Sequence, residues 1–177
     1  MKCWPENELE KISSCPKNRK MYENLPYTQG TLAMKPTILL VEDNPDDREL
    51  AQLAFSESGL FPEVVIARNG EEALNYLFGD RESSTRNTTP SLVLLDLKLP
   101  KINGLEVLRR LRVHPRTQFV PVVMMTTSSE PQDTIDSYRL GCNSYIRKPI
   151  DFTQFQAAIR QVTIYWLIFN EAPVNSA

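Results

Sequence analysis

Apolar runs of strand length alternate with segments of helical period through most of this chain. The runs carry no internal polar residues, as expected of strands that are buried on both faces of a sheet. Strands that alternate with helices predict a parallel sheet joined by right-handed crossovers. We therefore expect a doubly wound α/β fold with five parallel strands and helices on both faces. The predicted strands are residues 37–41, 64–67, 91–95, 120–125 and 144–147, and the predicted helices are 45–58, 70–78, 105–113, 131–140 and a last one from Asp151 onward.

The first 35 residues differ from the rest of the chain. They contain six Lys or Arg against four Asp or Glu, three prolines and no sustained apolar period. Such a composition is typical of a flexible extension that cannot bury a core. We expect residues 1–35 to be an N-terminal extension, residues 36–170 to form the folded domain, and residues 171–177 to be a C-terminal tail.

Composition excludes several classes of function. The net charge of −2 gives the molecule no general attraction for nucleic acid. No run approaches the roughly 18 to 20 apolar residues that a membrane span needs, and no signal-peptide pattern is seen. Three scattered cysteines do not make a disulfide framework. We therefore expect a cytoplasmic protein that binds neither nucleic acid nor membrane.

Polar side chains follow four of the predicted strands at the point where each strand ends. Glu42 and Asp43 follow the first strand, Asp96 the third, Thr126 the fourth and Lys148 the fifth. The carboxyl ends of parallel strands share one edge of the sheet, which is where ligands of such sheets bind. Crowded carboxylates repel one another unless one is protonated or a cation lies between them. An all-oxygen ligand set favours a hard ion such as Mg²⁺.

These residue types suit phosphoryl transfer. Asp96 is anionic at neutral pH and can attack a phosphoryl donor without a general base, which gives an acyl phosphate. Mg²⁺, the Lys148 ammonium and the Thr126 hydroxyl would neutralise and orient the transferring group. Taken singly, each residue also has a structural explanation. Asp43 is a candidate helix cap, Thr126 can satisfy a strand end, and Lys148 can be a solvated surface charge.

Four separated motifs, LLVEDNPDD, LLDLKLPKINGLEVL, VVMMTT and YIRKPI, closely resemble the receiver domain of two-component response regulators over residues 36 to about 160. The resemblance implies a flavodoxin-like strand order 2-1-3-4-5. It implies that Asp96 accepts a phosphoryl group from a sensor histidine kinase. It also implies that Thr126 supplies the switch hydroxyl and that Lys148 is the phosphate-binding lysine. It further implies that Glu42, Asp43, Asp96 and the backbone carbonyl of Lys98 hold Mg²⁺, that Tyr145 is the aromatic switch, and that the Lys148–Pro149 peptide is cis.

Within that family, LGCNSYIRKPIDF and YWLIFNEAP resemble the single-domain regulators of cyanobacterial and bacterial phytochrome kinases. That resemblance implies a homodimer through the face of the fourth helix, fifth strand and fifth helix, and output through protein contacts or a histidine phosphotransfer protein. Lys98 departs from the family, because many receivers have an uncharged residue there. The residues expected on the dimer or partner face are Tyr145, Phe155, Ile159, Trp166 and Phe169.

Three other functions use the same architecture. A phosphatase of the haloacid dehalogenase type has a second Asp two residues after its nucleophile, but here that residue is Lys98. A flavodoxin-like electron carrier needs a phosphate loop after the first strand, whereas EDNPDD is acidic and would repel the flavin phosphate. A receiver that binds partners without being phosphorylated stays open on sequence alone. We expect a phosphoacceptor signalling protein and not an enzyme that turns over a substrate.

Overall fold

The computed structural model describes residues 35–57, 62–79 and 88–171. Most of the predicted N-terminal extension, the C-terminal tail after Glu171 and most of the polar loop after α2 lie outside these residues, so the predictions for them stay predictions. The described elements are β1 (Thr37–Val41), α1 (Pro45–Glu57), β2 (Glu63–Ala67), α2 (Gly70–Phe78), β3 (Leu92–Leu95), α3 (Gly104–Val113), β4 (Val122–Thr126), α4 (Pro131–Arg139), β5 (Ser144–Arg147) and α5 (Phe152–Ile164), followed by a π-helical segment, Tyr165–Phe169.

The five strands form one parallel sheet in the order β2-β1-β3-β4-β5. The predicted fold class and strand order are therefore confirmed. The order reverses beside β1, so the crevice at the carboxyl ends of β1 and β3 is the place where a ligand of this fold binds.

The sheet separates two apolar layers. One layer packs α2 and α3 against the sheet, and Leu39, Val93 and Met124 point into it. The other packs α1 and α5 against the opposite face, where Ile38 and Leu94 contribute. Each strand supplies side chains to both layers because successive residues point to opposite faces, which explains why the three central strands, β1, β3 and β4, are buried and largely apolar.

Three helices begin at a side-chain cap. Asn69, Asn103 and Asp151 each accept a hydrogen bond from the backbone N–H three residues later, at 2.9 Å in all three cases. The inward face of α1 does not include Leu53. Leu53 is 45% exposed, and Ala51, Ala54 and Phe55 are buried instead.

The last helix corrects the predicted partner face. Phe155 and Ile159 are 5% and 0% exposed and pack in the α1/α5 layer. The prediction that they lie on a dimer or partner surface is therefore wrong. A helical period identifies which residues share a face, but it does not tell whether that face meets the core or a second molecule. Trp166 is half-buried and Phe169 is 72% exposed, so these two remain available at the surface.

The Lys148–Pro149 peptide bond differs from the expectation. The described residues contain no cis peptide bond, so the cis Lys148–Pro149 peptide implied by the resemblance is not found. The trans isomer is the one that an X–Pro bond favours by roughly 0.5–1 kcal/mol in the absence of other constraints.

None of the helices in the described ranges combines the length and apolar character needed to cross a bilayer.

Candidate phosphoacceptor site

Backbone hydrogen bonds extend the sheet beyond the strand ends and fix the polar residues there. The Glu42 N–H donates to Ala67 O at 2.9 Å, and the Asp96 N–H donates to Val41 O at 3.0 Å. The Lys148 N–H donates to Thr126 O at 2.8 Å. The predicted site residues are thus brought together as expected of the carboxyl edge of a parallel sheet.

Asp96 is buried, 6% exposed, and both its carboxylate oxygens are held. Oδ1 accepts hydrogen bonds from the N–H groups of Leu97 at 2.6 Å and Lys98 at 3.3 Å. Oδ2 accepts one from Lys148 Nζ at 2.9 Å. These hydrogen bonds fix the orientation of both oxygens of the Asp96 carboxylate.

Lys148 is surrounded by carboxylates. Its Nζ donates to Glu42 Oε2 at 2.6 Å, to Asp47 Oδ2 at 2.9 Å and to Asp96 Oδ2 at 2.9 Å. An ammonium has three N–H donors, so all three are used. Sequence reasoning missed Asp47, because an acidic residue in the first turn of a helix is explained by the helix dipole alone.

Charge and burial act in opposite directions on these groups. Burial disfavours the ammonium of Lys148, but the Asp96 charge and the hydrogen bond to Glu42 outweigh it and raise the pKa of Lys148 well above its usual range. Burial raises the pKa of Glu42, and the hydrogen bond and charge of Lys148 oppose that shift. Lys148 therefore stays a cation at any physiological pH.

Three of the carboxylates suit a divalent cation. Glu42, Asp43 and Asp96 each have an oxygen within 4.8 Å of the others. Lys148 contacts two of them, whereas Asp43 is exposed and has no ion pair within the described residues. A hard cation with oxygen ligands fits this donor set, because it would add the positive charge that one ammonium does not supply. The Lys98 side chain is exposed.

The loop that carries Glu42 and Asp43 is fixed by the start of α1. Arg48 NH1 donates to Glu42 O at 3.1 Å and to Asp43 O at 2.7 Å. Asn44 Oδ1 accepts from the N–H of Asp46 at 2.9 Å. These contacts hold the acidic pair beside Asp96, and sequence reasoning missed Arg48 because nothing in the local pattern indicates where a helical arginine reaches.

Thr126 ends β4 and is completely buried. Its Oγ1 accepts a hydrogen bond from the N–H of Ser128 at 3.2 Å. Ser128 Oγ in turn donates to Asp133 Oδ2 at 2.5 Å, which ties the β4–α4 loop to α4. The Thr126 hydroxyl is therefore connected to the helix that borders the predicted partner face.

Tyr145 lies in β5 and packs its ring against the α2/α3 layer. Its hydroxyl is buried and makes no hydrogen bond of good geometry with the described residues, although the Thr134 side chain is close. Burial raises the pKa of the Tyr145 phenol. The ring thus packs against the core, and its hydroxyl lies beside α4, the helix to which Ser128 ties the β4–α4 loop.

A parallel sheet in this order, with an acidic cluster and a buried lysine at its switch point, defines a receiver-type α/β domain. Residues 38–160 match the family model of the response regulator receiver domain, and this chain belongs to that family. It is accordingly a phosphoacceptor signalling protein of two-component systems and not a classical enzyme. The predicted family is confirmed.

Two of the similar solved structures are phytochrome response regulators by description. The chain is 38% identical over 132 residues to response regulator Rcp1 of Synechocystis, covering 73% of this chain and 88% of Rcp1. The phosphorylated cyanobacterial phytochrome response regulator RcpA superposes with a TM-score of 0.72 at 38% identity, over 78% of this chain and 99% of that one. The bacteriophytochrome response regulator AtBRR is 46% identical with a TM-score of 0.61, over 77% and 99%. A crystal structure of Rcp1 is a Mn²⁺-bound form, with a TM-score of 0.71 at 36% identity over 78% and 99%.

Proposed function

We propose that this protein accepts a phosphoryl group on Asp96 from the phosphohistidine of a sensor kinase. The observation that carries the proposal is the double restraint of the Asp96 carboxylate, by the Leu97 N–H on one oxygen and by Lys148 Nζ on the other. An oriented, charged oxygen is what an attacking nucleophile needs in phosphoryl transfer.

In the transfer, an Asp96 carboxylate oxygen forms a bond to phosphorus while the bond from phosphorus to the donor nitrogen breaks. The leaving imidazole nitrogen keeps the electron pair of that bond. Lys148 Nζ gives up its hydrogen bond to one carboxylate oxygen and donates to a phosphoryl oxygen instead. The Thr126 hydroxyl donates a hydrogen bond to a second phosphoryl oxygen. Both contacts stabilise charge that the phosphoryl oxygens carry in the transition state.

The residues that would hold Mg²⁺ are Glu42, Asp43, Asp96 and the backbone carbonyl of Lys98. When bound, the ion supplies positive charge to the phosphoryl oxygens. The all-carboxylate cluster supports this assignment, and the Mn²⁺-bound form of Rcp1 is a parallel in a relative.

Phosphorylation would be passed on through Thr126. Drawing its hydroxyl toward the phosphoryl group breaks the hydrogen bond from Ser128 and releases the β4–α4 loop. Tyr145 then rotates into the space that the loop leaves. The acyl phosphate thus favours one of two conformations of the domain. The two conformations differ at the surface formed by α4, β5 and α5.

We propose a phytochrome histidine kinase as the phosphate donor and a homodimer through the α4, β5 and α5 face as the output state. RcpA and AtBRR are phytochrome regulators by description and support the first proposal. Exposed apolar side chains at Ile135, Tyr138 and Phe169 support the second. A histidine phosphotransfer protein is the alternative recipient of the signal.

The test is intact mass after incubation with phosphoramidate, with Mg²⁺ or EDTA, on the wild type and on Asp96→Asn. We expect one phosphoryl adduct that needs Mg²⁺ and is absent from the variant. Size-exclusion chromatography on the same samples measures whether assembly follows. A folded wild type that binds Mg²⁺ and takes up no phosphate would instead be an interaction module that works without phosphate.

A further inference from the structure

Asp47 differs from the other two carboxylates that bind Lys148. Glu42 and Asp96 also belong to the cluster that suits a cation, but Asp47 does not. Among the three acceptors of Lys148 Nζ in the described structure, Asp47 is the one that lies outside the candidate cation cluster. It is therefore the partner that Lys148 can keep when the other two change their contacts.

The position of Asp47 is itself fixed. It lies in the first turn of α1, and its N–H approaches Asn44 Oδ1 at 3.4 Å. The neighbouring Arg48 N–H donates to Asn44 O at 3.1 Å, so the helix begins at a defined place. The Asp47 side chain is 24% exposed, whereas that of Lys148 is 6% exposed. Asp47 thus forms a wall of the pocket from a rigid element.

Phosphorylation of Asp96 forces Lys148 to change partners. A long lysine side chain loses rotamer freedom when it is held in one place, so directing an unanchored lysine at a new group is costly. An ion pair with Asp47 that persists during this change reduces the cost, because Nζ stays in place near the phosphoryl oxygen while its other hydrogen-bond acceptors change.

We infer that Asp47 is a positioning residue for phosphoryl transfer, acting through Lys148. The inference rests on the proposed phosphorylation of Asp96. It predicts that loss of the Asp47 acceptor slows phosphate uptake and weakens binding of a phosphoryl mimic, while Mg²⁺ binding is spared because Asp47 is not a metal ligand.

The experiment compares Asp47→Ala, Asp47→Asn and Asp46→Ala in the full-length protein. Asn keeps an oxygen that accepts from Nζ. Asp46 is an exposed neighbour that is not among the ion-pair partners of Lys148 in the described residues, and its removal changes the net charge equally. Initial rates with phosphoramidate, beryllofluoride affinity in the presence of Mg²⁺, and affinity for Mg²⁺ alone by calorimetry are measured on all three variants and on the wild type.

For Asp47→Ala we expect the rate and the beryllofluoride affinity to fall about tenfold or more relative to Asp46→Ala, as for loss of a hydrogen bond between charged groups. Asp47→Asn should recover most of this loss, and Mg²⁺ affinity should match that of Asp46→Ala. The inference is overturned if Asp47→Ala behaves as Asp46→Ala does, or if its Mg²⁺ affinity drops in parallel, which indicates general damage to the pocket. A wild type that takes up no phosphate overturns the proposed function, and the inference with it.

Discussion

Gly104 approaches the backbone carbonyl of Asp96 so closely that a Cβ at residue 104 would lie 2.2 Å from that oxygen. The Gly104 N–H also donates to Leu97 O at 2.9 Å. The first residue of α3 is thus in contact with the loop that carries the phosphoacceptor.

Gly104→Ala is therefore expected to destabilise the fold by about 1–3 kcal/mol, because the carbonyl of Asp96 has to move. The displacement should also slow phosphate uptake. Urea denaturation gives the first effect and intact mass the second, with Gln52→Ala on the exposed side of α1 as the control. If Gly104→Ala is as stable as Gln52→Ala and takes up phosphate as fast, the close contact is contradicted.

The two half-buried tyrosines Tyr76 and Tyr145 should respond oppositely to loss of the hydroxyl. The Tyr145 hydroxyl is buried without a good hydrogen bond, so Tyr145→Phe removes an unsatisfied polar group and should leave the free energy of unfolding equal or higher. The Tyr76 hydroxyl donates to Thr88 O at 3.1 Å, so Tyr76→Phe should cost about 0.5–1.5 kcal/mol.

Chemical denaturation of both variants measures the difference. Equal losses would show that Tyr145 has a hydrogen-bond partner in solution. Phosphate uptake by Tyr145→Phe should stay at the wild-type level, since the proposed switch depends on rotation of the ring and not on the hydroxyl.

Much of the site was predictable because strand ends in a parallel sheet converge. The apolar runs located β1, β3, β4 and β5, and the residue after or at each end was then placed without any tertiary information. Glu42, Asp96, Thr126 and Lys148 all follow this rule. Asp47 and Arg48 do not, because they reach the site from the side of a helix, and local sequence does not record where a long side chain ends.

The surface of the last helix was harder to predict for a related reason. Phe155 and Ile159 share a helical stripe with Trp166 and Phe169, but the π-helical segment begins at Tyr165 and changes the residues per turn. Trp166 still packs against the same layer as Phe155 and Ile159, whereas Phe169 is 72% exposed. The prediction puts all four residues on a dimer or partner face, whereas Phe155 and Ile159 belong to the core.

Arg112 should contribute more to stability than an ordinary surface arginine. Its guanidinium donates to Gly141 O at 2.8 Å, to Val120 O at 3.0 Å and to Asn143 Oδ1 at 2.9 Å, which joins the end of α3 to the loops before β4 and β5. Lysine cannot reproduce this planar fork. Arg112→Lys is expected to cost about 2–3 kcal/mol, because one ammonium replaces only part of these hydrogen bonds from a charged donor.

Arg109→Lys is the matched control for that variant. Arg109 is exposed and pairs with Glu106 one turn earlier in α3, and exposed pairs contribute about 0–1 kcal/mol. Denaturation midpoints of the two variants should therefore differ clearly. Similar midpoints would mean that water replaces Arg112 without cost.

Glu106 should titrate far below a free glutamate. Hydrogen bonds from Arg109 and Arg110 lower the pKa of Glu106 to about 2 from 4.5. Because the folded pKa is the lower one, the stabilising effect is full above pH 4.5 and disappears as pH falls through about 2. An NMR titration of the Glu106 carboxyl measures this pKa. Arg109→Ala and Arg110→Ala should each raise it, and so should added salt, because the pair is exposed. A wild-type value near 4.5 would show that these pairs do not persist in solution.

Lys148→Met should be strongly destabilising without a divalent cation. The substitution leaves Glu42 and Asp96 buried without their counter-charge, for which a cost of about 3–5 kcal/mol is expected. Mg²⁺ should then stabilise the variant more than it stabilises the wild type, because the ammonium no longer repels the ion and tighter binding to the folded state raises stability further.

Urea denaturation with Mg²⁺ and with EDTA measures both quantities. Lys101→Met, which removes an exposed pair with Glu71, should cost less than about 1 kcal/mol and show the wild-type response to Mg²⁺. Equal stabilisation of Lys148→Met and the wild type by Mg²⁺ would show that the lysine and the cation do not compete for the same carboxylates.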